Sequence, residues 1–214
     1  MRGSVAGRYA SSMSYDAVGF DLLTALLDTL PLWRAAARDD RLGPAWHAAS
    51  QRLLRGQPYR PFEDIVRESA RELGLADERA DELLTRWGEF APWPDSPPTL
   101  ERIDPARRFI VTNCSTELGL RAASTLGAFA LVMTAEAAGA YKPDPRPYHA
   151  ALGALGLDPE RVLFVAGSAH DVGGARRIGM DVYWANRLAA PRPVDAAPLV
   201  EAPDLSGLIP LLHG

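Results

Sequence analysis

The sequence predicts an α/β protein: a parallel-sheet core assembled from two chain segments, with a helical cap inserted after the first strand. Three observations lead there. Five short apolar runs, at residues 17–20, 108–111, 129–133, 162–165 and 182–184, each stop at small or polar residues, the pattern of strands covered on both faces. Helical stretches separate the last four runs, and such alternation builds βαβ units. Between the first two runs, from about residue 30 to residue 90, helical spacing replaces strand-like runs.

Residues 1–13 form a leader rich in Gly, Ser and Arg that ends on a second methionine, Met13. Without an apolar stretch it reads as a disordered or vector-derived segment, not a signal peptide. The expected core takes residues 14–28 and 95–214, and the expected cap residues 29–94. The first strand runs into Asp21. In the cap, residues 34–37 and 45–54 read as helices parted by Asp39, Asp40 and Gly43. Residues 61–73 place Phe62, Ile65, Val66, Ala70 and Leu73 on one face, and Gly74 ends that helix. Residues 77–87 read as another helix. The stretch 91–98, Ala-Pro-Trp-Pro-Asp-Ser-Pro-Pro, reads as rigid and non-helical and marks the return to the sheet. Helices then follow at 117–126, at 147–155 with Pro147 early and Gly156 just past the end, and at 172–178 before Gly179. The Pro/Ala-rich tail, 189–203, is expected to wrap the surface. The whole is a Rossmann-like core with an inserted cap.

Composition narrows the function classes. The 214 residues are 47% hydrophobic and 23% charged, with a net charge of −4, an ordinary globular balance. No basic face is implied, which argues against nucleic acid or an anionic membrane as partner and for a small molecule. No apolar run reaches the roughly 18 residues of a membrane helix. The single cysteine, Cys114, excludes an internal disulfide and a thiolate zinc cluster, and a cytoplasmic location fits. Cys114 reads as buried filler, Trp46, Trp87 and Trp93 as cap packing, and the pairs Arg107-Arg108 and Arg176-Arg177 as solvated charge.

Open parallel sheets bind ligands beyond the carboxyl ends of their strands. Four strand ends carry polar groups: Asp21-Leu22-Leu23-Thr24 after the first run, Thr112-Asn113-Cys114-Ser115 after the second, Tyr141-Lys142-Pro143-Asp144 through Tyr148 after the third, and Gly167-Ser168-Ala169-His170-Asp171 after the fourth. Each alone suits a turn or helix cap. Together they bring two carboxylates, an ammonium and a hydroxyl/amide pair to one sheet edge, as a catalytic site requires.

This constellation resembles the haloacid dehalogenase superfamily over residues 16–187, and within it the L-2-haloacid dehalogenase branch. The likeness lies in Phe-Asp-Leu-x-x-x-Leu-x-Asp at 20–28, Tyr-Lys-Pro-Asp-Pro-Arg-x-Tyr at 141–148, and Asp-x-x-Gly-Ala-Arg at 171–176, followed by Trp184-x-Asn186-Arg187. The resemblance implies Asp21 as nucleophile, Lys142 beside it to keep it ionised, and Asp171 to orient Lys142 or water. It implies substrate contacts from Thr112, Asn113, Tyr148, Ser168, Leu23 and Thr24, closure by the cap, and a homodimer as a candidate assembly. Superfamily phosphatases carry a second Asp where Leu23 stands and a metal-binding Asp where Gly167 stands. Their replacement implies hydrolysis of a small 2-haloacid without metal or other cofactor; Mg²⁺ enters only on the phosphatase alternative. Other departures are Ala25 in place of Thr, Ala166 and Ser168 in place of Ser and Asn, and His170 in place of an aromatic; His170 is given no catalytic role. These departures imply fewer hydrogen bonds to the nucleophile. The usual cap arginine corresponds either to Arg34 or to His47. Three readings stand: a dehalogenase, a phosphatase with a degraded metal site, and a non-catalytic binding relative.

Overall fold

Strand β1 (Ala17–Phe20) lies in the middle of a six-stranded sheet, between β4 (Arg108–Thr112) and β6 (Val162–Ala166). The computed structural model describes residues 15–56, 58–194 and 196–213; the expected leader, 1–13, lies outside them. The remaining strands are β5 (Leu131–Thr134), β7 (Asp181–Ala185) and β8 (Val200–Ala202), and the order is β5-β4-β1-β6-β7-β8. All pairings in this sheet are parallel, with Phe20 opposite Ile110 on one side and Val165 on the other. Every residue of β1, β4 and β6 is buried, because both faces are covered. Ala17, Phe109, Phe164 and Trp184 pack under α8 (Pro145–Leu155) and α9 (Ala169–Arg177). Val18, Phe20, Ile110 and Val165 face the opposite core, with α6 (Thr116–Ala123), α10 (Leu208–Leu212) and the cap. Gly19 has no room for a side chain: a Cβ there would stand 2.7 Å from the Phe109 ring.

The cap holds α1 (Leu30–Ala37), α2 (Leu42–Leu53), α3 (Phe62–Glu72) and α4 (Asp77–Thr85), between the short strands β2 (Leu27–Asp28) and β3 (Ala91–Pro92). β2 and β3 pair antiparallel, Leu27 against Pro92. Its centre is aromatic. Trp33 meets Trp46 edge-on at 5.0 Å and Trp87 at 6.0 Å between ring centroids, an arrangement the ring quadrupole favours. The Trp46 indole N–H donates to the Val66 carbonyl and Ser69 Oγ, both at 3.0 Å. Cap and core also meet through polar contacts: Ser115 donates to Glu63, Tyr141 to the Arg60 carbonyl, and Arg121 to the Leu84 carbonyl.

Several details differ from the sequence reading. Residues 91–98 are not wholly non-helical: after β3, α5 (Ser96–Leu100) begins, with Pro97 and Pro98 in the first turn, where the missing N–H groups lose no helical bond. The 189–203 tail does more than wrap the surface, since its end is β8, paired with β7. The third run shifts to β5, leaving Phe129 beneath the Arg108 guanidinium at 5.1 Å. Arg108 is therefore not solvated charge: it is buried and donates to the Ala128 and Leu100 carbonyls. Trp93 belongs to the core loop, donating to the Thr24 carbonyl. No helix among the described residues is long and apolar enough to cross a membrane. A short α-helical turn, α7 (Ala135–Ala138), follows β5.

Candidate active site

The chain turns sharply after β1, and that turn wraps the Asp21 carboxylate. Asp21 Oδ2 accepts from Thr24 N at 3.1 Å, Thr24 Oγ1 at 2.7 Å and Ala25 N at 3.3 Å. Asp21 Oδ1 accepts from Lys142 Nζ alone, at 2.8 Å. The Thr expected at position 25 is absent, yet the Thr24 hydroxyl supplies a bond to Asp21. The anticipated thinning of those bonds is corrected accordingly.

Lys142 comes from the loop before α8. The Asn113 side chain fixes its backbone: Asn113 Oδ1 accepts from Lys142 N at 2.7 Å, and Asn113 Nδ2 donates to the Lys142 carbonyl at 3.2 Å. Its ammonium bridges Asp21 and Asp171, reaching Asp171 Oδ2 at 3.2 Å, and sits 5.7 Å from the centroid of the Phe164 ring. Asp171 lies in the first turn of α9, which Ser168 caps by accepting from the Asp171 amide at 3.2 Å. Tyr148 donates to Asp171 Oδ1, also at 3.2 Å. Gly174 makes room for that phenol, since a Cβ there would lie 2.6 Å from the Tyr148 hydroxyl.

All three charged groups are buried. Burial alone would raise the Asp21 pKa, but the Lys142 charge and the bonds from Lys142 and Thr24 bring it below the usual carboxylate range. Asp171 goes the other way: burial raises it to about 6, with the Asp21 charge adding to the rise and Lys142 opposing it. Burial would lower Lys142, yet the charges of Asp171 and Asp21 hold it above its ordinary value. The two carboxylates thus share one ammonium, and their environments push their titrations apart.

These groups form the floor of a cavity of about 490 Å³ between the strand ends and one face of α2. Leu23, Thr24, Asn113 and Ser168 line it with Asp21, Lys142 and Asp171. Two of the residues expected to contact substrate do not line this cavity. Thr112 is fully buried and points away from the cavity, its hydroxyl 3.4 Å from Cys114 Sγ. Tyr148 is fully buried too, so its hydroxyl orients Asp171 instead of touching a ligand. Of the two cap candidates, His47 lines the cavity, whereas Arg34 faces a separate surface depression beside Asp39 and Asp40. Burial draws the His47 pKa down to about 4, against the opposing pull of Asp21, so the ring is neutral at pH 7.

Three features escaped the sequence reading. Gly167 presses its backbone against Asp21: a Cβ there would lie 2.1 Å from Thr24 Oγ1 and 2.6 Å from Asp21 Oδ2. Arg187 anchors the turn that follows Asp21, donating to the Ala25 carbonyl at 3.0 Å while paired with Asp95 at 2.8 Å and stacked 5.1 Å from the Trp93 ring centroid. Arg55, just past α2, lines the cavity. Two of them had a sequence signal: Gly167 stands where a metal-binding Asp would, and Arg187 ends a motif.

A magnesium ion wants several hard oxygen ligands in near-octahedral array. Both carboxylates here face an ammonium, position 167 has no space for a third, and no group of three potential metal-ligating side chains gathers among the described residues. The residues present do not fit Mg²⁺.

A family model described as haloacid dehalogenase-like hydrolase matches residues 15–179. (S)-2-haloacid dehalogenase 4A of Burkholderia cepacia is 34% identical over 138 residues, 62% of this chain and 60% of that protein. A phosphoserine phosphatase of Thermus thermophilus is 34% identical over 158 residues, 69% of this chain and 63% of that protein. The chain spans about 60% of the length of the curated dehalogenases it matches. Among solved structures, the L-2-haloacid dehalogenase of Xanthobacter autotrophicus with chloropropionic acid covalently bound aligns with a TM-score of 0.84 and 25% identity, covering 94% of this chain and 99% of that one. A second structure, described as a dehalogenase, aligns with a TM-score of 0.81 and 28% identity, over 94% and 98% of the two chains.

Proposed function

We propose, from the premise that this chain belongs to the haloacid dehalogenase-like hydrolase family, that it hydrolyses the carbon–halogen bond of a 2-haloacid without a metal ion, using Asp21 as nucleophile. The observation that carries this reading is the Lys142 ammonium bridging Asp21 and Asp171 at 2.8 and 3.2 Å. It supplies positive charge beside the nucleophile, where a metal-dependent relative needs a cation.

The two oxygens of Asp21 divide the work. Oδ1 has one donor, against three on Oδ2, so it attacks the halogen-bearing carbon as halide leaves with the bonding electron pair. Halide needs no proton, which suits Leu23 at the position where an acid would otherwise stand. Oδ2 sits in three fixed donors. When water adds to Cγ of the resulting ester, those donors stabilise the negative charge that develops on Oδ2. Asp171, with its pKa near 6, takes the water proton and returns it to the departing alkoxide as the Cγ–Oδ1 bond breaks. The products are the 2-hydroxyacid and a regenerated carboxylate, with one proton released to solvent.

Halide release from 2-chloropropionate in the presence of chelator tests the proposal. Asp21→Asn is expected to lower that release by a factor on the order of 10³ or more. No release from any short 2-haloacid by the unaltered chain would sink it. Relatives named phosphatases match as well. That reading requires Mg²⁺-stimulated hydrolysis of p-nitrophenyl phosphate, and the donor set disfavours it.

A further inference from the structure

An anionic substrate meets an electrostatic problem at this site. The floor carries two carboxylates and one ammonium, so with both acids ionised it bears a net negative charge. The one positive charge of Lys142 already faces the two negative charges of Asp21 and Asp171. His47 is neutral. Arg187 is paired with Asp95 and does not line the main cavity. A carboxylate entering here needs a cation from elsewhere.

The cap arginines differ sharply in their partners. Arg38, Arg52, Arg60, Arg67, Arg71, Arg79 and Arg86 each form an ion pair with a cap carboxylate. Among the described residues, Arg55 has no carboxylate within ion-pair distance, and neither have Arg34 and Arg41. Of those three, only Arg55 lines the catalytic cavity. Its position follows from helix geometry. His47, Gln51 and Leu54 recur at i, i+4 and i+7 along α2, and Arg55 extends that face by one residue. Arg55 and His170 line the same cavity, one from the cap side and one from the core loop.

We propose that Arg55 is the substrate-binding cation of this site: it pairs with the carboxylate of an organic monoanion and holds it while Asp21 reacts. The assignment rests on the dehalogenase reading for the identity of that anion. A planar guanidinium offers paired N–H donors that match a carboxylate, and its exposed position lets it fold inward once the anion has entered.

Unreactive ligands separate this inference from turnover. Calorimetry with butanoate, which has no leaving group, and with its neutral counterpart butanamide measures charge recognition directly. Arg55→Met is expected to weaken butanoate by about tenfold or more, as loss of a charged hydrogen bond implies, and to leave butanamide nearly unchanged. Arg55→Lys is expected to restore part of the loss. With 2-chlorobutanoate, KM is expected to rise in Arg55→Met far more than kcat falls. Unchanged butanoate binding in Arg55→Met overturns the assignment. Equal weakening of acid and amide overturns it too, because shape would then be at stake, and so does failure of the unaltered chain to bind butanoate. Failure of the dehalogenase reading looks different: no halide appears, while butanoate binding still depends on Arg55.

Discussion

On the core side of the cavity, Asp21, Lys142 and Asp171 are each at most 6% exposed, and every one is held by hydrogen bonds from groups that are themselves held. On the cap side, His47 and Gln51 are only partly buried and Arg55 is exposed. The core wall is a closed network: Lys142 bridges the two carboxylates, Thr24 and Ala25 hold Asp21 Oδ2, and Tyr148 holds Asp171 Oδ1. The cap wall keeps polar groups uncommitted. A wall that must stabilise developing charge works best when fixed in advance, because then no reorganisation accompanies reaction. A wall that must admit and release a ligand needs side chains free to move. The division teaches where to expect effects on kcat and where on KM.

Breaking the core network should have the largest effect. Lys142→Met leaves two buried carboxylates with no counter-charge, so halide release is expected to vanish and stability to fall by about 3–5 kcal/mol, as read by denaturant unfolding. A variant as stable as the parent would show that the network is not closed. A smaller intrusion comes next. Gly167→Ala places a methyl where Thr24 Oγ1 and Asp21 Oδ2 now meet the Gly167 backbone. A nucleophile displaced by roughly 1 Å loses about 10²-fold in rate, so kcat is expected to drop by that order with KM little altered. A rise in KM with kcat intact would instead assign this loop to recognition.

The mildest test uses pH alone. Asp171 is raised to about 6 and accepts a proton only when ionised, so kcat/KM is expected to fall as pH drops below about 6, roughly tenfold per unit. Asp21 stays ionised there, since its pKa lies below the ordinary carboxylate value. On the alkaline side Lys142, held above its usual value, keeps its proton, so no loss is expected through pH 9. An acid limb centred near pH 4 would move the proton-accepting role away from Asp171.

Legibility in the sequence followed the range of the interactions involved. Strands β1 and β6 were readable because burial on both faces makes a strand uniformly apolar, and the meeting of Asp21, Lys142 and Asp171 was readable because motifs at successive strand ends converge once the sheet is parallel. Strands β2, β3 and β8 were not, being two or three residues long and defined by partners far along the chain. The bond from Thr24 to Asp21 depends on the path of the turn, which the identity of residue 25 alone does not reveal. Thr112 was misplaced because the direction of its side chain is decided by its packing against Cys114 and Gly119. The meaning of Arg55 depends on which other arginines find carboxylates, and that is a property of the folded cap.

The two-residue pairing of β2 with β3 has a consequence for how such a chain can change. Seen from the core, residues 29–90 are one hairpin loop whose ends meet where Leu27 faces Pro92. The entropy of closing a loop grows only logarithmically with its length, so the core is nearly indifferent to how many residues lie beyond that pair. It constrains where the excursion begins and ends, and leaves its length and its recognition surface open to revision.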